Sequence, residues 1–128
     1  TCALPIPLLA RAVAELTAGH EVVMSAVEKV GAMPGQGVSS TFKFGQSYGT
    51  VLGFFGARYP LVHVTPVSWK RYFSLTGKDK DAARLAAIER WPGHADRLSR
   101  KKDCGRADAA LIALWCAETQ AIARGVAA

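Results

Sequence analysis

The chain has 128 residues, half of them apolar, and a formal net charge of +6. That length suits one domain, residues 1–128, with a core of its own, and no apolar run approaches the roughly 20 residues a membrane-spanning helix needs. Residues 1–66 carry four basic and three acidic side chains, whereas residues 67–128 carry twelve and seven. A basic second half with Trp69, Tyr72 and Phe73 interleaved suits a polyanionic partner, against the plainer alternative of solvated surface charge. Cys2, Cys104 and Cys116 are odd in number and widely spaced, with no CxxC pair. They speak against a disulfide framework or a structural zinc and fit a reducing compartment. The first ten residues lack a basic n-region and are interrupted by Pro5 and Pro7, which speaks against a signal peptide.

Leu8, Leu9, Val13 and Leu16 recur at helical spacing and predict a helix over 6–18, stopped at Gly19. Residues 21–27 predict a strand. Val22, Met24 and Ala26 lie on one face and Val23, Ser25 and Val27 on the other, so both faces are largely apolar, as in a buried parallel strand. A loop follows over 31–37, with Pro34-Gly35 as its turn signal. A helix then runs to about Arg58, with Ser39 or Ser40 as N-cap. Gly45, Gly49, Gly53 and Gly56 share one face of it, each costing about 0.5–1 kcal/mol relative to alanine. Such a face implies close approach of another backbone, from its own sheet or from a second subunit. Tyr48, Val51, Leu52 and Phe55 form the opposite, core-like face.

Leu61 to Val64 predict a second strand, ended by Thr65-Pro66. A helix over 66–73 follows, with Pro66 near its start. Asp79 or Asp81 opens another helix through Trp91. Residues 94–99 read as a helical turn and 106–124 as the last helix. The strand–helix–strand order implies parallel pairing with a right-handed crossover. Two parallel strands alone make a poor sheet.

Two carboxylates stand where packing alone does not ask for them. Glu28 ends the first strand, and the carboxyl edge of parallel strands is where α/β sheets bind ligands. A strand-end ion pair with Lys29 is the plainer use. Asp108 aligns with Leu111, Ile112 and Trp115 on the face of the last helix that must be core. A buried carboxylate needs a cation or a helix N-terminus to relieve it. Asp103 precedes that helix and reaches toward the same point, or serves as its N-cap. A few carboxylates plus waters and phosphate oxygens are how Mg²⁺ is usually held. His20, His63 and His94 show no metal-ligand spacing, and no Walker loop or GxSxG is present.

Several segments, in order, resemble the RuvC-type Holliday junction resolvases, especially their phage and organellar branch. They are Val27-Glu-Lys-Val30, Met33-Pro-Gly-Gln-Gly-Val-Ser-Ser40, Phe44-Gly-Gln-Ser-Tyr-Gly49, Val64-Thr-Pro-Val-Ser-Trp-Lys70, Lys78-Asp-Lys-Asp81 and Arg106-Ala-Asp-Ala-Ala-Leu-Ile-Ala-Leu114. The resemblance implies a ribonuclease H-like α/β fold and a homodimer that nicks opposed strands of branched double-stranded DNA with Mg²⁺ or Mn²⁺. It implies Glu28, Asp103 and Asp108 as metal ligands and catalytic acids, with Lys70 beside the scissile phosphate. The loop bearing Lys29, Met33, Gln36, Ser39, Ser40 and Lys43 would face the junction. Lys78, Lys80, Lys101, Lys102 and Arg106 add phosphate contacts, and the glycine helix lies near the dimer contact.

Two departures from the family accompany this resemblance. The family's first ligand is an Asp on an N-terminal strand, and this sequence starts at about the helix that follows. The expectation is therefore an N-terminally truncated ribonuclease H-like fold with two visible parallel strands and flanking helices. The last acidic pair also differs, because Gly105 stands where the bacterial enzymes carry an acid three residues before the final one. The expected activity is metal-dependent, structure-selective endonucleolytic hydrolysis. The rival is a junction-binding module without catalysis. The expected compartment is cytoplasmic, in a bacterial or phage-infected cell, or an organelle.

Overall fold

In chain order, the described elements are α1 (Ile6–Thr17), β1 (Ser25–Glu28), α2 (Val38–Arg58), β2 (Leu61–Val64), α3 (Pro66–Tyr72), α4 (Lys80–Arg90) and α5 (Cys104–Cys116). The 3-10 segments Pro92–Leu98 and Lys101–Asp103 join α4 to α5, and α5 runs on into a π-turn, Ala117–Ala121. The structure, a computed structural model, describes residues 5–121 and Gly125. Cys2 and the expected end of the last helix, 122–124, lie outside them.

The strands pair in parallel, from Ser25 opposite Leu61 to Glu28 opposite Val64, with α2 as the crossover. This α/β arrangement matches the expectation, with one correction. The first strand does not begin at Glu21. β2 is four residues long, so only four positions of the apolar run find a ladder partner. The ladder is sealed where Ser25 N–H donates to the Pro60 carbonyl (2.9 Å) and Lys29 N–H to the Val64 carbonyl (2.7 Å). Glu28 therefore ends β1 at the carboxyl edge of the pair.

α2 also starts differently. Gly37 holds the extended N-cap backbone, without a side-chain bond, and Ser39 and Ser40 lie inside the first turn. No residue of this 21-residue helix is fully buried. Tyr48, Val51, Leu52 and Phe55 are half-buried, while Val38 and Phe42 are exposed. A methyl added at Gly45, Gly49 or Gly53 meets nothing within 4 Å, and only at Gly56 does it approach a side chain, Leu61 Cδ2 at 3.7 Å. Close packing within the described chain thus does not account for the first three glycines.

The core lies past the sheet, among the C-terminal helices. Thr65 caps α3 by accepting from Ser68 N–H (3.3 Å), with Pro66 in the first turn. That start turns Trp69 inward, where it is completely buried. Asp79 caps α4 by accepting from Ala82 N–H at 3.0 Å. Ala83 and Ala87, one turn apart in α4, and Ala107 and Leu111 in α5 are all buried. Small side chains on these two helices permit their close packing. Val64, Leu75 and Leu98 complete the cluster around Trp69. Truncating a fully buried tryptophan to alanine costs about 3–5 kcal/mol, so this cluster is the main store of stability. No helix among the described residues is long and apolar enough to cross a membrane.

Gly49→Ala should raise the unfolding free energy by about 0.5–1 kcal/mol in urea titration of the monomeric chain. A loss of that size instead would mean that this face is not open in the monomer.

Candidate active site

Glu28 is held from three directions. Its backbone is the last rung of the parallel ladder. The Tyr48 hydroxyl, from α2, donates to its carbonyl at 3.2 Å. Trp69 Nε1–H, from α3, donates to Oε2 of its carboxylate at 2.6 Å. The other carboxylate oxygen has no hydrogen bond among the described residues.

Asp108 faces the same point from α5. It and Glu28 line a groove of about 670 Å³ that runs along β1, walled by Val51 and Phe55 of α2 and by Ile112 and Cys116 of α5. The groove is apolar along most of its length and acidic where β1 ends. Asp108 is half-buried, and burial pushes its pKa up from the ordinary carboxylate value. The Glu28 carboxylate pushes it further, while Lys70 and Lys80 pull it back. Two carboxylates crowded together with restricted water favour any bound positive charge. Their oxygen donors also suit Mg²⁺ or Mn²⁺, which often takes one or two carboxylates with waters and phosphate oxygens.

Asp103, the third acid of the expected set, is paired with Arg100 instead of lining the groove. It is only 4% exposed, and Arg100 takes both of its oxygens. The Arg100 guanidinium donates to Oδ1 at 2.9 Å and to Oδ2 at 3.2 Å, and the Arg100 backbone N–H donates to Oδ2 at 3.0 Å. The 3-10 turn Lys101–Asp103 folds the carboxylate back onto Arg100. No group of three or more His, Cys, Asp or Glu side chains is placed to hold a metal among the described residues.

The basic residues divide into separate groups. Lys70 and Lys80 act electrostatically on Asp108, and Lys70 Nζ lies 5.6 Å from the centroid of the Trp69 ring. Lys101 instead acts electrostatically on Asp81, and Arg106 on Asp103. Arg106 also donates to the Arg97 carbonyl at 2.9 Å. Lys78, Lys101, Lys102 and Arg106 are exposed. So are Lys29, Met33, Gln36, Ser39, Ser40 and Lys43, on the loop after β1 and the first turns of α2.

The sequence reading missed Trp69 and Tyr48 as neighbours of the acid. Tyr48 passes for ordinary core, and Trp69 for one aromatic in a basic stretch. The available signal was chemical: a buried indole or phenol needs a hydrogen-bond partner.

An acidic pair at the carboxyl edge of parallel strands, within the electrostatic reach of two lysines, is an arrangement suited to phosphodiester chemistry. In sequence, the chain is similar to a Holliday junction resolvase. The relative is the chloroplastic Holliday junction resolvase MOC1 of Chlamydomonas reinhardtii, 40% identical over 85 residues. The match covers 65% of this chain and 10% of that protein, so the aligned part is about a tenth of the relative's length. No family model matches the chain.

Asp103 and Asp108 should carry opposite pH signatures. The raised pKa of Asp108 means that the folded chain keeps this proton after the unfolded chain has lost it. Its effect is a loss of stability as pH rises from the ordinary carboxylate value through the raised one. Arg100 holds the Asp103 pKa low. That contribution is present above the ordinary value and lost as pH falls through the lower folded one. In the absence of divalent cations, Asp108→Asn should raise the melting temperature by a few degrees at pH 7 and by less at pH 3. Asp103→Asn should lower it at pH 7, with the difference shrinking in strong acid. Melting curves of the three proteins across pH check both signs.

Proposed function

We propose that this chain is a nuclease unit of a metal-dependent resolvase that cuts four-way DNA junctions by phosphodiester hydrolysis. The observation that carries the reading is the convergence of Glu28 and Asp108 on one groove at the carboxyl edge of two parallel strands, with Lys70 and Lys80 acting electrostatically on Asp108. The similarity to a Holliday junction resolvase supports the choice of branched DNA as substrate.

Glu28 and Asp108 would hold Mg²⁺ or Mn²⁺, which supplies activation of water and charge neutralisation at the phosphodiester. The protein's own part is positioning and electrostatics. Glu28 presents one carboxylate oxygen while Trp69 fixes the other. Asp108, disfavoured as an anion by burial and by Glu28, gains most from a neighbouring cation. Lys70 and Lys80 attract the phosphate backbone and limit repulsion between the DNA and the two acids. The exposed loop from Lys29 to Ser40 and the exposed Lys101, Lys102 and Arg106 extend the positive surface. The ribonuclease H-like fold and a homodimer formed through the open glycine face of α2 complete the proposal. The diversion of Asp103 favours one alternative, a junction-binding module with too few ligands for catalysis.

Glu28→Gln and Asp108→Asn should each lower Mg²⁺-dependent nicking of a four-way junction by on the order of 100-fold. Junction binding in Ca²⁺ should persist. Unchanged nicking in both variants would sink the catalytic reading. Selective junction binding by the unaltered chain, with no nicking, would establish the alternative.

Changing Lys101 and Lys102 together to alanine should flatten the plot of log affinity against log salt by about one unit for each lost phosphate contact. An unchanged slope would assign this pair to ordinary surface.

A further inference from the structure

We propose that Trp69 is a positioning residue of this site, and that one buried indole orders both its acid Glu28 and its cation Lys70. The proposal rests on the reading of Glu28 as a cation-binding acid. The indole is wholly inside the core cluster with Val64, Leu75 and Leu111, so it cannot follow a mobile partner. Its one polar atom, Nε1, reaches Glu28 Oε2 at 2.6 Å, a short charge-assisted bond. Glutamate has three side-chain torsions, and fixing them when a cation binds costs entropy. The bond to Trp69 restricts them beforehand.

The chemistry of the donor matters as much as its position. The indole N–H is neutral and engages one oxygen, so it orients the carboxylate without cancelling its charge. Asp103 shows the contrary case. A cationic guanidinium takes both of its oxygens, leaving little for a metal ion to gain. The two donors separate an acid available to a cation from an acid used for structure.

The face of the same indole serves Lys70. Its ammonium lies 5.6 Å from the ring centroid, within range of a cation–π attraction. Lys70 follows Trp69 directly, and its charge acts on Asp108. The indole edge thus orders Glu28 while its face holds Lys70, whose charge reaches Asp108.

The test uses the whole chain with two replacements at position 69. Trp69→Phe keeps a buried ring but removes the N–H. Replacement by benzothienylalanine keeps the bicyclic shape, with sulfur in place of N–H. Binding of Mn²⁺ without DNA is measured by the electron spin resonance of the free ion, so the readout does not depend on turnover. Mn²⁺ affinity should fall about 10-fold in both variants, while circular dichroism stays that of the folded chain. For junction nicking, kcat should fall and KM stay within about twofold, a split not expected of general loosening. In the unaltered protein, Mn²⁺ should broaden the indole N–H resonance of Trp69 before those of Trp91 and Trp115, and Glu28→Gln should abolish that order. If Trp69→Phe fails to fold, the isosteric replacement decides. Unaltered Mn²⁺ affinity in the folded replacement would overturn the positioning role alone. A parent chain that neither binds Mn²⁺ nor nicks junctions would overturn the site reading and this role with it.

Discussion

The bond from the Trp69 indole to the Glu28 carboxylate joins two parts of the molecule that otherwise have different origins. On one side is a helical core made by α3, α4 and α5. On the other is the end of a two-stranded sheet with little protection of its own. A four-residue ladder gives limited rigidity. The carboxyl edge of β1 gains definition because its last residue is tied to a side chain the core cannot release. Thr65 and Pro66 matter here because their cap starts α3 at the right place, and Trp69 follows one turn later. The chain from cap to indole to carboxylate converts local helix chemistry into placement of a charged group.

Charge is sorted by the company each acid keeps. Asp103 and Asp108 lie five residues apart at the start of one helix, yet their environments are opposite. Arg100 lowers the pKa of one by supplying donors to both oxygens. Burial and the Glu28 charge raise that of the other. A carboxylate satisfied by a guanidinium stabilises the turn that presents α5. A carboxylate left beside another acid is held at a cost, and such costs mark places where a ligand restores the balance. The same pairing logic applies to the cations. Arg100 and Arg84 are committed to local partners, with Arg84 bonded to Asp81 and to the carbonyls of Leu98 and Ser99. Lys70 and Lys80 remain near the acidic pair.

α2 departs from ordinary core economy. A 21-residue helix with no fully buried residue and three uncovered glycines gains little from the described chain on that face. Its half-buried side contributes Val51 and Phe55 to the groove and Tyr48 to the Glu28 carbonyl. Its start exposes Val38 and Phe42, and the loop before it exposes Met33. The helix therefore supports the acidic site from one side and presents apolar and glycine surface on the other. That combination agrees with the proposed contact between subunits, where close backbone approach would use the glycines.

The sequence alone determined features that depend on neighbours along the chain. Asp79 is one of the two caps the sequence offers for α4. The bounds of β2, the Pro66 start of α3 and the presence of helices α1 and α2 follow from local periodicity and turn chemistry. So does the placement of Glu28 at a strand end and of Asp108 on an apolar helix face. The length of β1 was not legible, because a strand extends only as far as a partner is present, and β2 offers four residues. Ser39 and Ser40 suggest an N-cap by side-chain chemistry, but α2 starts earlier because Gly37 supplies the extended backbone without a side-chain bond. The pairing of Asp103 with Arg100 is not legible either, because it depends on a turn through Lys101 and Lys102 that brings the two side chains together. Only the tertiary structure decided that Trp69 reaches Glu28 across 41 positions of sequence. Hydrogen bonds between distant segments depend on how helices pack, and packing is a property of the whole assembly rather than of any one segment.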